Sequence, residues 1–281
     1  MKKILKALSA AAVLAGSFIG LGTEVSAEPK FEDEKVTVGV CSEAEEEVWK
    51  VVAERAKEEG IEIEIVLFTD YVQPNISLQD GSVDLNAFQH VAFLNDWNDS
   101  NEGDLVPIGY TYVTPIGVYS DKIESLDELK DGDTVAIPND PTNGGRALLA
   151  LELAGVIEVD DAAGILPEVK DITSNPKNIQ FEELEAGQLA RVLPDVAAAV
   201  INNTFALDAG LNQESAIFLD TDNPAELSDD YKNVIATRKD DKDNEVYRFI
   251  VSLYQTDEVK EKLAEVSDGG DVPAWSDQDD L

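Results

Sequence analysis

The chain has 281 residues, 58 Asp and Glu against 21 Lys and Arg, a formal net charge of −37 and 43% hydrophobic residues. So negative a surface repels nucleic acid and anionic lipid, which excludes both as electrostatic partners. Cys41 is the only cysteine, so no intrachain disulfide forms and the fold has to rest on a hydrophobic core.

Residues 1–27 read as a targeting segment. Lys2, Lys3 and Lys6 form a basic start, residues 7–22 an apolar run, and Val25-Ser26-Ala27 a small-residue cleavage site. A secretory signal cut near Ala27 is expected; a retained membrane anchor is the alternative. Within it, Leu14-Ala15-Gly16-Ser17 is similar to the L-A-G-C box of bacterial lipoproteins, with Ser17 in place of the lipid-bearing cysteine. A hydroxyl cannot form the thioether. The expected location is therefore exported, either at the extracellular face of the membrane or secreted. Acidity of this degree fits work in high salt or near cations, and the apolar periodicity argues against disorder.

From residue 35 the pattern is α/β. Residues 35–40 alternate and are β-rich. Ser42 caps a helix over 43–59, with Glu45 placed for a capping box and Val48, Val51, Val52, Ala53 and Ala56 inward. Gly60 ends it. Residues 61–68 form a second strand, and strand–helix–strand in so short a span opens a parallel sheet. A polar turn, a short helix over 77–81, a strand over 83–88, a helix starting at Gln89 and strands over 105–109 and 111–119 follow. Further on, residues 125–130 form a brief capped helix. Strands are expected over 179–182, 196–201 and 233–238, and helices over 184–193, 205–209, 244–254 and 257–266. The acidic clusters read as solvated loops, and residues 276–281 as an acidic tail.

The stretch from Asp133 to Leu151 has the strongest chemistry. A strand over 134–137 runs into the turn residues 138–143, then Gly144, Gly145 and Arg146 lead into a helix over 147–154. Backbone N–H groups at a helix start favour an anion, glycines admit a ligand close to the backbone, and a guanidinium pairs with a carboxylate. This reads as a carboxylate clamp; the alternative is a strand–helix connection whose arginine sits in water. Phe88 and Phe93 taken alone are core aromatics and His90 a helix-start residue. Asn202, following an apolar strand, needs hydrogen-bond partners if buried. Cys41 is either a small buried hydrophobe or a cleft-facing thiol. No nucleophile elbow, Walker loop, calcium loop or paired-cysteine site occurs, and His90 is the only histidine, so an enzyme is not expected.

Five motifs occur in order: Phe68 to Asn75 (FTDYVQPN), Asp84 to His90 (DLNAFQH), Ala136 to Asn143 (AIPNDPTN), Gly145 to Leu148 (GRAL) and Ala199 to Asn202 (AVIN). Together they closely resemble the NlpA/MetQ-type methionine-binding lipoproteins, over about residues 35–275. The resemblance implies a periplasmic-binding-protein-like (type II) fold of two α/β lobes with a cleft between them: residues 35–113 plus 234–275 as lobe I and 114–233 as lobe II. It implies a substrate-binding component of a methionine ABC importer, with L-methionine, its D form, a methionine dipeptide or another apolar amino acid as ligand. The expected partners are an ABC permease and ATPase complex, with the chain monomeric and without cofactor. Arg146 grips the carboxylate by this pattern, Asn202 and Asn233 bind the polar end, and Tyr71, Phe88, His90 and Phe93 wall the side-chain pocket. Thioethers pack well on aromatic edges. Phe93 stands where many relatives carry tyrosine, Thr114 where a larger polar residue, commonly glutamate, is frequent, and Ala197 where an aspartate is. These departures keep open a second reading, an extracellular interaction protein that retains the fold with altered or lost amino-acid binding.

Overall fold

The computed structural model describes residues 29–276. The expected signal segment, Ser17 and residues 277–281 of the acidic tail lie outside the described residues. Among those described, no helix is long and apolar enough to cross a membrane.

The chain opens β1 (Glu34–Val40), α1 (Glu43–Glu58), β2 (Ile61–Leu67), α2 (Gln73–Asp80), β3 (Leu85–His90), α3 (Val91–Asn101) and β4 (Leu105–Tyr110). Next come β5 (Tyr112–Val113), β6 (Ile116–Tyr119), β7 (Thr134–Pro138), α4 (Pro141–Leu153), β8 (Glu158–Val159), β9 (Ile172–Ser174), β10 (Gln180–Leu184) and β11 (Ala198–Asn202). It closes with α5 (Asn203–Asp208), β12 (Phe218–Leu219), β13 (Asn233–Arg238), α6 (Glu245–Tyr254), α7 (Asp257–Val266) and β14 (Val272–Pro273).

Two five-stranded sheets result, ordered β2-β1-β3-β13-β4 and β10-β7-β11-β6-β12. In each, three neighbouring strands are parallel and the remainder antiparallel. Parallel strands need helical crossovers and are buried on both faces, which is why β3 reads as six consecutive buried residues. The first sheet packs Val36, Val38, Val40, Leu85, Ile108 and Ile235 against Trp49 and Val52 of α1 and Ile250 and Tyr254 of α6. The second packs Val118, Val135, Ile137 and Val200 against Leu148 and Leu151 of α4. A third apolar cluster bridges them, joining Cys41, Tyr71 and Phe88 to Tyr119, Ala199, Ile201 and Phe205.

Several local expectations shift, each for a physical reason. In α1 the buried face is Glu45, Val48, Trp49, Val52 and Ala56, while Val51 and Ala53 are half-buried. The Ser42 hydroxyl accepts from Glu45 N at 3.0 Å as predicted. Glu45 does not close the box on Ser42; its carboxylate accepts from Cys41 N and from the Tyr112 hydroxyl, both at 2.7 Å. Helix α2 begins at Gln73 rather than Ser77, because a proline in the first turn costs no hydrogen bond. Gln89 and His90 belong to β3, where Gln89 pairs with Val234 and His90 with Asn233. The strand expected over 111–119 breaks at Thr114-Pro115 into β5 and β6, since proline lacks an N–H and restricts its predecessor. Leu184 is claimed by β10 through its pairing with Pro138, and residues 186–192 form 3-10 turns rather than an α-helix. The short strands β8, β9, β12 and β14 had no signal in the pattern.

Candidate functional site

In open α/β sheets, ligands sit beyond the carboxyl ends of parallel strands. Here β3 ends at His90, β11 at Asn202, and β7 runs through the Asp140 cap into α4. These ends converge between the two sheets on one pocket, lined by Tyr71, Phe88, His90, Phe93, Arg146, Asn202 and Asn233. Every ligand-contact residue expected from the sequence is on that wall. Gln89, Tyr112, Thr114, Asn143, Asn203 and Thr204 complete it on the polar side.

The apolar end is an aromatic socket. Tyr71 lies 5.6 Å from Phe88 and 5.9 Å from Phe93 between ring centroids, and Phe88 meets Phe93 edge-on at 6.0 Å. Phe205 backs Tyr71 at 4.8 Å. Edge-to-face rings at these spacings attract one another and present both faces and edges to a guest. Burial holds the Tyr71 phenol well above its usual range, so the ring stays neutral.

His90 sits where the socket meets the polar end. Its Nδ1 accepts from Phe93 N at 3.1 Å, which assigns the proton to Nε2, 3.2 Å from Asn143 Oδ1. Asn143 Oδ1 also accepts from Asn202 Nδ2 at 2.7 Å, and Asn143 Nδ2 donates to Asp140 Oδ1 and Oδ2 at 3.1 and 3.0 Å. The His90–Asn143 bond links the two lobes, and the set as a whole fixes each amide by its donors. Burial, and then the charge of Arg146, lower the His90 pKa from 6.5 to about 4. The imidazole is therefore neutral at physiological pH.

The surroundings of Arg146 differ from those expected. Helix α4 starts at Pro141, so Gly144 and Gly145 lie inside it and Gly144 N–H donates to Asp140 O at 2.8 Å. The Asp140 carboxylate caps the helix start through Asn143 N at 2.8 Å and the Thr142 hydroxyl at 2.8 Å. The helix start is thus occupied by the chain's own acid, which takes up Asn143 N. The glycines serve packing instead: a Cβ on Gly144 would lie 2.7 Å from Pro138 O, and one on Gly145 3.0 Å from Ile165 O. Nor is Arg146 an exposed cleft residue. Its side chain is 5% exposed and its Nε pairs with Asp220 Oδ2 at 2.8 Å. Nη2 donates to Thr114 O at 2.9 Å, and the guanidinium lies over the Tyr231 ring at 4.4 Å. Nη1 has no partner among the described residues.

Sequence reasoning missed four contributors. Asn143 precedes Arg146 by three positions, a helical neighbour on one face, so its place was available. Asn203 follows Asn202 directly. Tyr231 and Asp220 left no local signal, since their contacts with Arg146 are tertiary. Cys41 is buried, with Sγ 3.4 Å from Asp70 O, and burial raises its thiol well above the usual range. It therefore stays an unreactive thiol. Among the described residues no cluster of His, Cys, Asp or Glu is arranged to hold a metal ion.

The sequence profile of the NlpA lipoprotein family matches residues 36–275. The chain belongs to that family. As an NlpA lipoprotein family member it is 47% identical over 253 residues to the D-methionine-binding lipoprotein MetQ of Salmonella typhimurium, covering 87% of this chain and 91% of that one. Among solved structures it is similar to the methionine-binding protein MetQ (TM-score 0.82, 45% identity, 86% of this chain and 99% of that chain). It is also similar to a nutrient-binding protein from Burkholderia cenocepacia bound to methionine (TM-score 0.80, 42% identity, 85% and 100% covered). These overlaps place the family member's two-lobed architecture in the type II periplasmic-binding-protein fold.

Proposed function

We propose that the chain is the extracytoplasmic binding protein of a methionine ABC importer, capturing L-methionine or a close relative and delivering it to a permease and its ATPase. The observation that carries this is a single buried pocket with a neutral aromatic socket at one end and a guanidinium with an unspent nitrogen at the other. Arg146 Nη1 binds the α-carboxylate. The amide groups of Asn202 and Asn233 take the polar end. Tyr71, Phe88, His90 and Phe93 enclose the thioether, which is apolar, polarisable and suited to ring edges. The protein acts as an exported monomer. Ser17 cannot carry a thioether-linked lipid, so it is released or held non-covalently.

Thermal unfolding of protein stripped of any copurified ligand tests this. A ligand that binds only the folded state adds about 2.7 kcal/mol at one hundred times its Kd, or roughly 5–10 °C for a chain of this size. L-methionine, D-methionine and methionine dipeptides are compared with the other amino acids. At least one methionine compound is expected to give a shift of that order; failure of all of them overturns the proposal.

A further inference from the structure

An α-amino acid brings an ammonium as well as a carboxylate, yet no Asp or Glu lines the pocket. Two observations point to how this chain meets that need. First, Asn202 Oδ1 and Asn203 Oδ1 are buried acceptors without a donor, and both residues lie on the polar wall. A buried acceptor left unpaired is costly, and two on one wall suit a group with several N–H donors. Second, behind that wall stands a carboxylate the pocket does not touch. Asp271, in the segment entering β14, is 8% exposed, and its Oδ1 accepts from Asn203 Nδ2 at 2.8 Å. Its own N–H donates to Ser267 Oγ at 2.9 Å. Thr114, also on the pocket wall, bonds the neighbouring backbone instead, its Oγ1 donating to Gly270 O at 3.5 Å.

We propose that Asp271 is the positioning residue for the ligand's ammonium, acting through Asn203. By holding the amide NH2 of Asn203, it leaves that amide's oxygen as the acceptor on the pocket wall. Its charge, close behind the wall in a region of low dielectric, offsets the incoming cation. Asp220 is engaged by Arg146 Nε at 2.8 Å, so Asp271 is the buried acid left to act on the ammonium. The ligand class this selects is the α-amino acid with a free ammonium, in preference to the carboxylic acid alone. This rests on the reading of the pocket as a methionine site.

Burial raises the Asp271 pKa to about 6, so the carboxylate is charged at neutral pH and takes up a proton on mild acidification. The titratable groups coupled to it are Glu45 from α1, Tyr112 from β5 and Tyr254 from α6. Both tyrosines are held neutral by burial, and burial raises Glu45 to about 7.

Calorimetric titration with L-methionine and with 4-(methylthio)butanoate, which lacks the ammonium, tests the inference. Wild type is expected to prefer methionine at least tenfold. Asp271→Asn is expected to lose that preference, with methionine weakened tenfold or more and the des-amino acid changed less than twofold. Equal losses for both ligands, or no change in either, overturn the inference, because a merely structural role does not distinguish them. If Asp271→Asn fails to fold, the same preference is measured from pH 7 to 5.5 in a Glu45→Gln background; it is expected to shrink as Asp271 takes up its proton, and a constant preference overturns the inference. Wild type that binds neither compound defeats instead the methionine reading itself.

Discussion

Two arginines, Arg146 and Arg238, each sit among acidic partners and backbone carbonyls, and the contrast separates a structural cation from the one proposed to bind the ligand. Arg238, at the end of β13, uses every nitrogen: Nε on Asp241 at 2.8 Å, Nη1 on Leu78 O and Val83 O at 3.1 and 2.7 Å, and Nη2 on Asp84 at 3.4 Å. Its side chain is 25% exposed, and it ties β13 to α2 and the loop before β3 within one lobe. Arg146 is 5% exposed, pairs Nε and Nη2 only, and faces a pocket between lobes. A guanidinium so buried, with donors to spare, is stabilised by an anion from outside. Exposure and charge alone would have ranked these residues the other way.

The largest expected effect breaks the contrast outright. Arg146→Met should weaken methionine about 100-fold or more, the usual scale for truncating one partner of a buried charge pair. It should also cost about 3–5 kcal/mol of stability, because Asp220 is left buried and unpaired. Arg238→Met should cost roughly 1–3 kcal/mol through its carbonyl and carboxylate bonds while leaving affinity within about twofold, since a lobe-internal arginine touches no ligand. Calorimetry and urea unfolding of the two variants decide this; matching affinity losses would remove the distinction. Adding Asp220→Leu to Arg146→Met should recover part of the stability and none of the binding.

A smaller effect sharpens the comparison through pH. The neutral His90 beside Arg146 has its pKa depressed from 6.5 to about 4. The unfolded chain therefore binds a proton that the folded chain refuses, and stability falls as pH drops from about 6.5 to about 4. Glu45 acts with the opposite sign. Its pKa is raised from 4.5 to about 7 by burial, so its contribution is fully present below about 4.5 and is lost as pH rises to about 7. Melting temperature followed from pH 4 to 8 should show His90→Gln flattening the acid limb and Glu45→Gln the neutral one. An unchanged profile in either variant contradicts the assignment.

The smallest expected effect concerns the ring under the pocket arginine. Tyr231→Leu removes a cation–π contact worth about 0.5–2 kcal/mol, so methionine affinity should fall roughly two- to thirtyfold. Tyr231→Phe, which keeps the ring face, should bind like wild type. Equal losses in both variants would mean that the hydroxyl matters rather than the ring.

The alternating strand 35–40, the Ser42 cap, the apolar face of 43–59 and the Gly60 stop were legible because each is a local preference repeated over several residues. So was the aromatic and arginine set of the pocket, carried by long motifs rather than by single residues. Two of the misreadings have different causes. Gly144 and Gly145 looked like a ligand-approach loop, yet they lie inside α4, which starts at Pro141 under the Asp140 cap, and they are glycines because Pro138 O and Ile165 O leave no room for a Cβ. Gln89 looked helical, but pairing with β13 keeps it in β3. In the second case a neighbour distant in sequence overrode local propensity.

The sequence by itself determined most of the longer strands and helices, that they alternate into an α/β fold, and that Asn202 stands at the end of an apolar strand. Periodicity and capping are local, so a linear reading contains them. Only the tertiary structure decided that Arg146 is buried, that Asp220 from 74 positions away neutralises it, that Tyr231 lies beneath it, and that Asp271 from 68 positions away holds Asn203. Charge balance in a buried site depends on distances of a few ångströms between remote segments. The linear order of residues does not contain those distances; the packing of two sheets against each other does.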